Sequence, residues 1–107
     1  MSNKYGYRIT QIANQDIDSA LAYISENLSN PTAAAELFLK LERGIEEICT
    51  VPYAFPDCEI FLISEERIRH IVIDNYVLVY EILEESKTVN ILRFRYAKMN
   101  LSKLQLK

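Results

Sequence analysis

The stretch Arg67–Asn100, RIRHIVIDNYVLVYEILEESKTVNILRFRYAKMN, decides how this chain folds. It holds three runs rich in β-branched and aromatic residues: Ile68 to Ile73, Tyr76 to Leu83 and Thr88 to Tyr96. Such residues suit a pleated, packed surface. Asp74-Asn75 separates the first two runs, and both residue types tolerate the backbone of a tight turn. Glu84 to Lys87 separates the second from the third. Three strands joined this closely predict an antiparallel meander.

Alternate residues of a strand point to opposite faces, so parity alone sorts the side chains. Arg67, Arg69, Ile71 and Ile73 share one face, with His70 on the other. Arg93 and Arg95 share a face of the last strand, opposite Phe94 and Tyr96. If helices cover the Phe94 side, Arg93 and Arg95 line an open face.

Upstream lies helical sequence. Tyr5 to Ile12 alternates weakly and reads as a short first strand. Asn14 or Asp16 is then suited to cap a helix, because its side-chain oxygen accepts an orphan backbone N–H. Ile17, Ala20, Leu21, Ile24 and Leu28 follow at helical spacing as one apolar stripe. Asn30-Pro31 ends that pattern and begins another, with Asn at the cap and Pro in the first turn. Ala34, Leu37, Phe38, Leu41, Ile45 and Ile48 make the second stripe. Thr50 to Asp57, with two prolines, is a loop; Cys58 to Ile63 is a short strand or more loop, and Asn100 to Lys107 a short helix or a tail. The predicted class is α+β: an N-terminal strand, a two-helix hairpin, then a three- to four-stranded antiparallel meander, all within one domain of 107 residues.

Half of the residues are apolar and a quarter charged, an ordinary soluble composition. No apolar run approaches the roughly 18 residues of a membrane-spanning helix, and the N-terminus lacks the apolar core of a secretion signal, so a cytoplasmic protein without membrane contact is expected. Cys49 and Cys58 have no metal-site or redox spacing; reduced thiols are the simplest reading and a disulfide the weaker one. One histidine and two separated cysteines do not make a zinc site. With only Gly6 and Gly44 there is no phosphate-cradling loop. Neither metal nor cofactor is expected. The net charge of −3 hides an asymmetry: residues 88–107 hold Arg93, Arg95, Lys98, Lys103 and Lys107 and no acid. A basic end on an acidic body suits an anionic partner.

Arg93, Arg95 and Lys98 are therefore the candidate target-binding residues, since guanidinium groups bind phosphate through paired N–H donors. The simpler alternative pairs the arginines with carboxylates across strands, and it is preferred for Arg67. His70 is the lone histidine and reads more simply as structural, although it titrates near neutral pH. Tyr76 and Tyr80 share a parity and read as core; Tyr96, between Arg95 and Lys98, is the better functional tyrosine.

In order and spacing these segments resemble the RelE/ParE superfamily of bacterial toxins from type II toxin–antitoxin modules. The resemblance runs through Ala20-Leu-Ala-Tyr-Ile-Ser-Glu-Asn-Leu28, Asn30-Pro-Thr-Ala-Ala-Ala35, Ile48 to Pro52, Phe55-Pro56, Arg69 to Tyr76, Val79-Tyr80-Glu81 and Ile91 to Tyr96. It implies a growth-inhibiting toxin, of the kind linked to plasmid stabilisation, held in check by a cognate antitoxin. ParE-like members poison DNA gyrase; RelE-like members cut mRNA on the ribosome. If the chain is a ribonuclease, Arg69, His70, Arg95 and Tyr96 are the catalytic candidates. RelE-like toxins usually carry an arginine where this chain has Val77, and a basic residue where it has Met99. These departures favour the ParE-like reading. A degenerate, non-toxic interaction module is the remaining alternative.

Overall fold

The structure, a computed structural model, describes residues 4–56 and 68–97. Strand β1 (Gly6–Ile9) leads into helix α1 (Gln11–Ala22), a π-helical turn (Tyr23–Asn27), helix α2 (Pro31–Thr50) and a short 3-10 turn (Pro52–Ala54). Strands β2 (Ile68–Ile73), β3 (Tyr76–Leu83) and β4 (Thr88–Tyr96) follow, and the sheet order is β1-β4-β3-β2. The meander is antiparallel throughout; β1 joins it parallel to β4.

The turns form where their chemistry directs. Asp74 and Lys87 both take positive φ, 55° and 52°. Asn30 caps α2 by accepting the Ala33 N–H at 3.0 Å, with Pro31 opening the helix. The cap of α1 is not Asn14 or Asp16, as the sequence suggested, but Thr10, so the first strand is also shorter than predicted. Thr10 Oγ1 accepts the Ala13 N–H at 3.1 Å and donates to the Leu92 carbonyl at 3.2 Å. It therefore starts the helix and ties it to β4.

Both helices cover one sheet face. Ala13, Ile17, Leu37, Leu41, Ile45 and Ile48 pack on Ile71, Ile73, Leu78, Tyr80, Ile82, Val89, Ile91 and Phe94. At Gly44 the helix–sheet approach is close: a Cβ there would lie 2.8 Å from Ile73 Cδ1. The helix stripes hold except at their edges, where Leu28 and Phe38 are exposed. Tyr80 is fully buried, and its hydroxyl donates to the Pro52 carbonyl at 2.6 Å. Burial pushes the Tyr80 hydroxyl well above the ordinary tyrosine pKa.

The face opposite the helices is apolar and buried along β3. By register it carries Val72, Val77, Val79 and Arg95; Val77 and Val79 in β3 are 5% and 1% exposed, while Val72 in β2 is 60% exposed. A strand buried on both faces reads as a continuous apolar run, and Tyr76-Val-Leu-Val-Tyr80 is one. Cys49 is buried, which raises its thiol pKa. Cys58 and the segments 58–63 and 100–107 lie outside the described residues. No helix among the described residues is long and apolar enough to cross a membrane.

Candidate functional site

Where β1 stops, β4 continues without it. Ile9 pairs with Ile91, and the register of β4 against β3 then slips, with Tyr80 opposite Ile91 and Val79 opposite Arg93. Leu92 is the extra residue of a β-bulge, a device that bends a strand and re-aims its side chains. Helix α1 runs beside the segment that follows.

The bulge and α1 are joined by a buried ion pair. Arg93 is 5% exposed. Its Nε donates to Asp16 Oδ2 at 2.7 Å and its Nη2 to Asp16 Oδ1 at 3.2 Å. The Phe94 N–H also donates to Asp16 Oδ2, at 3.1 Å. One carboxylate thus holds a guanidinium and a strand edge. Parity places Arg93 on an open face; it is instead packed against a helix 77 residues away in sequence. A residue so buried and so paired has a structural task.

Past this pair, α1 and β4 diverge and leave a groove of about 720 Å³. Its walls are Tyr23, Ile24 and Leu28 from the helical side, and Tyr76, Phe94 and Tyr96 from the sheet, with Asp16, Ser19, Asn75 and Arg95 also facing it. Tyr76 stacks flat on Phe94, ring centroids 4.8 Å apart, and Tyr96 meets Tyr76 edge-on at 5.6 Å. Burial raises the Tyr76 pKa, with the nearby Tyr96 and Tyr23 adding to it. The π-helical turn matters here, because such turns widen a helix locally and often mark functional sites. Tyr23 is 52% exposed and Leu28 55%. Periodicity assigns Ile24 and Leu28 to the core stripe and passes over Tyr23; the exposed aromatic beside the stripe is the available signal.

The four catalytic candidates do not converge. Arg95 and Tyr96 line the groove. Arg69 and His70 sit on β2, separated from β4 by β3. Neighbouring strands are spaced about 4.8 Å apart, so two steps put roughly 10 Å between those backbones. Arg69 donates to the carbonyls of Tyr53 at 3.2 Å and Phe55 at 2.8 Å, and its guanidinium lies over the Tyr53 ring. His70 pairs across to Val79, on the face opposite Arg69 and the helices, as its parity predicts. Lys98 lies outside the described residues. Among the described residues no group of three or more His, Cys, Asp or Glu is placed to hold a metal ion.

At the other end of the sheet, polar contacts close the structure. Glu84 Oε1 accepts from the Tyr5 hydroxyl at 2.7 Å and the Tyr53 hydroxyl at 3.0 Å, and Glu84 pairs with Lys87. The Lys87 contact, then the two hydroxyls, lower the Glu84 pKa from 4.5 to about 2. The Glu84 carboxylate in turn raises the Tyr5 pKa.

Comparison with known proteins agrees with this geometry. The family model described as ParE toxin of type II toxin–antitoxin system, parDE, matches residues 7–101. Among solved structures, the chromosomal ParDE toxin–antitoxin system from P. aeruginosa superposes with a TM-score of 0.70 at 14% identity, covering 91% of this chain and 100% of that one. The toxin–antitoxin complex RelBE2 from Mycobacterium tuberculosis gives 0.60 at 21% identity, covering 87% and 98%. At these identities the structural likeness establishes the fold. No curated relative matches the sequence.

Proposed function

Because the chain belongs to the ParE toxin family of type II toxin–antitoxin systems, we propose that it arrests growth by inhibiting DNA gyrase and is neutralised by a cognate antitoxin. The observation that carries the gyrase reading is the dispersal of the groups a ribonuclease would need. Cleavage of RNA requires a base, a cation for the developing phosphate charge and an acid, all within reach of one phosphate. Here Arg69 holds the 53–55 loop by its carbonyls, and His70 is two strands from Arg95. Val77, at the place where RelE-like toxins usually have arginine, is buried. A toxin that acts by binding needs no such convergence. Arg95, at the rim of the groove, is the residue we assign to target contact.

The test is induction without antitoxin, with purified toxin assayed in parallel against gyrase. The expected result is growth arrest, intact transcripts and loss of gyrase supercoiling. Codon-positioned cuts in cellular mRNA, mapped by primer extension soon after induction, would replace this reading with ribosome-dependent cleavage. Co-purification with the product of the neighbouring reading frame tests the antitoxin.

A further inference from the structure

Arg93 and Arg95 are alike in chemistry and share a parity, yet they sit in different surroundings. Arg93 is 5% exposed and locked to Asp16. Arg95 is half-buried and lines the groove. Between them lies Phe94, whose N–H donates to Asp16 Oδ2 and whose ring stacks on Tyr76. Leu92, on the near side of Arg93, is held as well, because its carbonyl accepts from Thr10 Oγ1. Thr10 caps α1 and Asp16 lies within it, so one helix pins Leu92, Arg93 and Phe94 in succession. These are the bulge and the two residues after it, and a bulge sets where the following side chains point.

We infer that Asp16 is a positioning residue for target contact: it turns Arg93 toward α1 and fixes β4 so that Arg95 is held at the groove's rim. The inference rests on the reading of Arg95 as the target contact given above. A carboxylate that takes two N–H groups of a guanidinium fixes its orientation as well as its distance. Arg93 donates to Asp16 through both Nε and Nη2, and the Asp16 side chain is itself only 11% exposed. The same carboxylate also acts on the backbone. β1 pairs with β4 only as far as Ile91. Three residues on, Asp16 Oδ2 accepts the Phe94 N–H, and the next residue is Arg95. Arg93 is thus the anchor and Arg95 the contact, and Asp16 decides between two arginines that the sequence alone treats as equals.

The experiment is a double-mutant cycle on the full chain: the parent, Asp16→Asn, Arg95→Ala and the two changes together. Each is assayed for inhibition of gyrase supercoiling well below its melting temperature. Asn keeps an acceptor for the Phe94 N–H but loses the charge and the paired contact with Arg93. A residue that acts through another adds nothing once that other is gone, so the two changes couple instead of adding. The expected result is a loss of about tenfold in inhibitory potency for Asp16→Asn, and no further loss when it is added to Arg95→Ala. The denaturant midpoint, in contrast, should fall on adding Asp16→Asn to either background. Arg93→Lys keeps the buried charge without the planar fork and should lose potency in the same way; it replaces Asp16→Asn in the cycle if that variant does not fold. Parental potency in folded Asp16→Asn or Arg93→Lys, parental potency in Arg95→Ala, or a further loss in the double variant overturns the inference. A parent that arrests growth without touching gyrase overturns the gyrase reading alone, and the same cycle is then read from growth arrest. A parent that does neither overturns both.

Discussion

The two ends of the sheet are built on opposite plans. At the Glu84 end, β4 lies between β1 and β3, and one carboxylate gathers the Tyr5 hydroxyl, the Tyr53 hydroxyl and the Lys87 ammonium. Tyr5, the loop after α2 and the β3–β4 turn all meet there. At the Tyr96 end, β4 has lost one strand neighbour, α1 draws away and a set of apolar and aromatic side chains faces a groove. The part-buried Asp16 carboxylate ties α1 to β4 at this end. Polar closure at one end leaves apolar opening at the other, and the same strand serves both.

The sharpest way to break this contrast is Asp16→Ala. Removing one partner of a buried ion pair strands the other charge and typically costs about 3–5 kcal/mol. The expected outcome is a large fall in thermal stability, with amide exchange speeding first at Phe94 to Tyr96. A fall confined to the Glu84 end would erase the distinction. Arg95→Ala should act on binding rather than on folding. A lost charged contact at a binding surface typically costs about 1–3 kcal/mol, and Arg95 is only half-buried. Loss of growth arrest with a melting temperature near the parent's is the expected result, and a toxin that unfolds instead would make Arg95 structural.

Smaller effects sharpen the other end. The Glu84 pKa is lowered in the fold, so its contribution is fully present above the unfolded value of 4.5 and is lost as pH falls toward about 2. Melting curves of the parent and Glu84→Gln should differ at pH 7 and converge over that window. Equal curves at pH 7 would show that the hub contributes nothing. The smallest effect belongs to the exposed pair of Lys40 with Asp74, 3.0 Å apart. Lys40→Ala should shift stability by no more than about 0.2–1 kcal/mol, read from denaturant midpoints.

Much of the fold was legible in the sequence. The three C-terminal strands fall where their residue types place them, because each is bounded by turn chemistry that acts within a few residues. Asn30-Pro31 worked for the same reason. The α1 cap failed because the alternation of Tyr5 to Ile12 put Thr10 inside the strand and left Asn14 and Asp16 as the cap candidates. What selected Thr10 was its bond to Leu92, in a strand it cannot see locally. Arg93 failed for a similar reason: parity places a side chain on a face, but the bulge and Asp16 decide where it goes. The groove was half legible, since charge and position single out Arg95 and Tyr96 but not Tyr23. A π-helical turn leaves no periodic trace in five residues. One signal was present and unused: Val77 and Val79 between Tyr76, Leu78 and Tyr80 already announced a strand buried on both sides.

The strand order carries a consequence for how the protein is made. Synthesis runs from β1 to β4, yet β4 lies inside the sheet, between the first strand made and the third. Until Thr88 to Tyr96 exist, β1 has no strand to lie against and β3 has one open flank. Pairings between residues so far apart in sequence are slow to form, because the intervening chain must be ordered first. A chain cut short before the last strand therefore has neither the Asp16 pair nor the sheet wall of the groove. The means of acting on a partner arrives with the final strand, and not before.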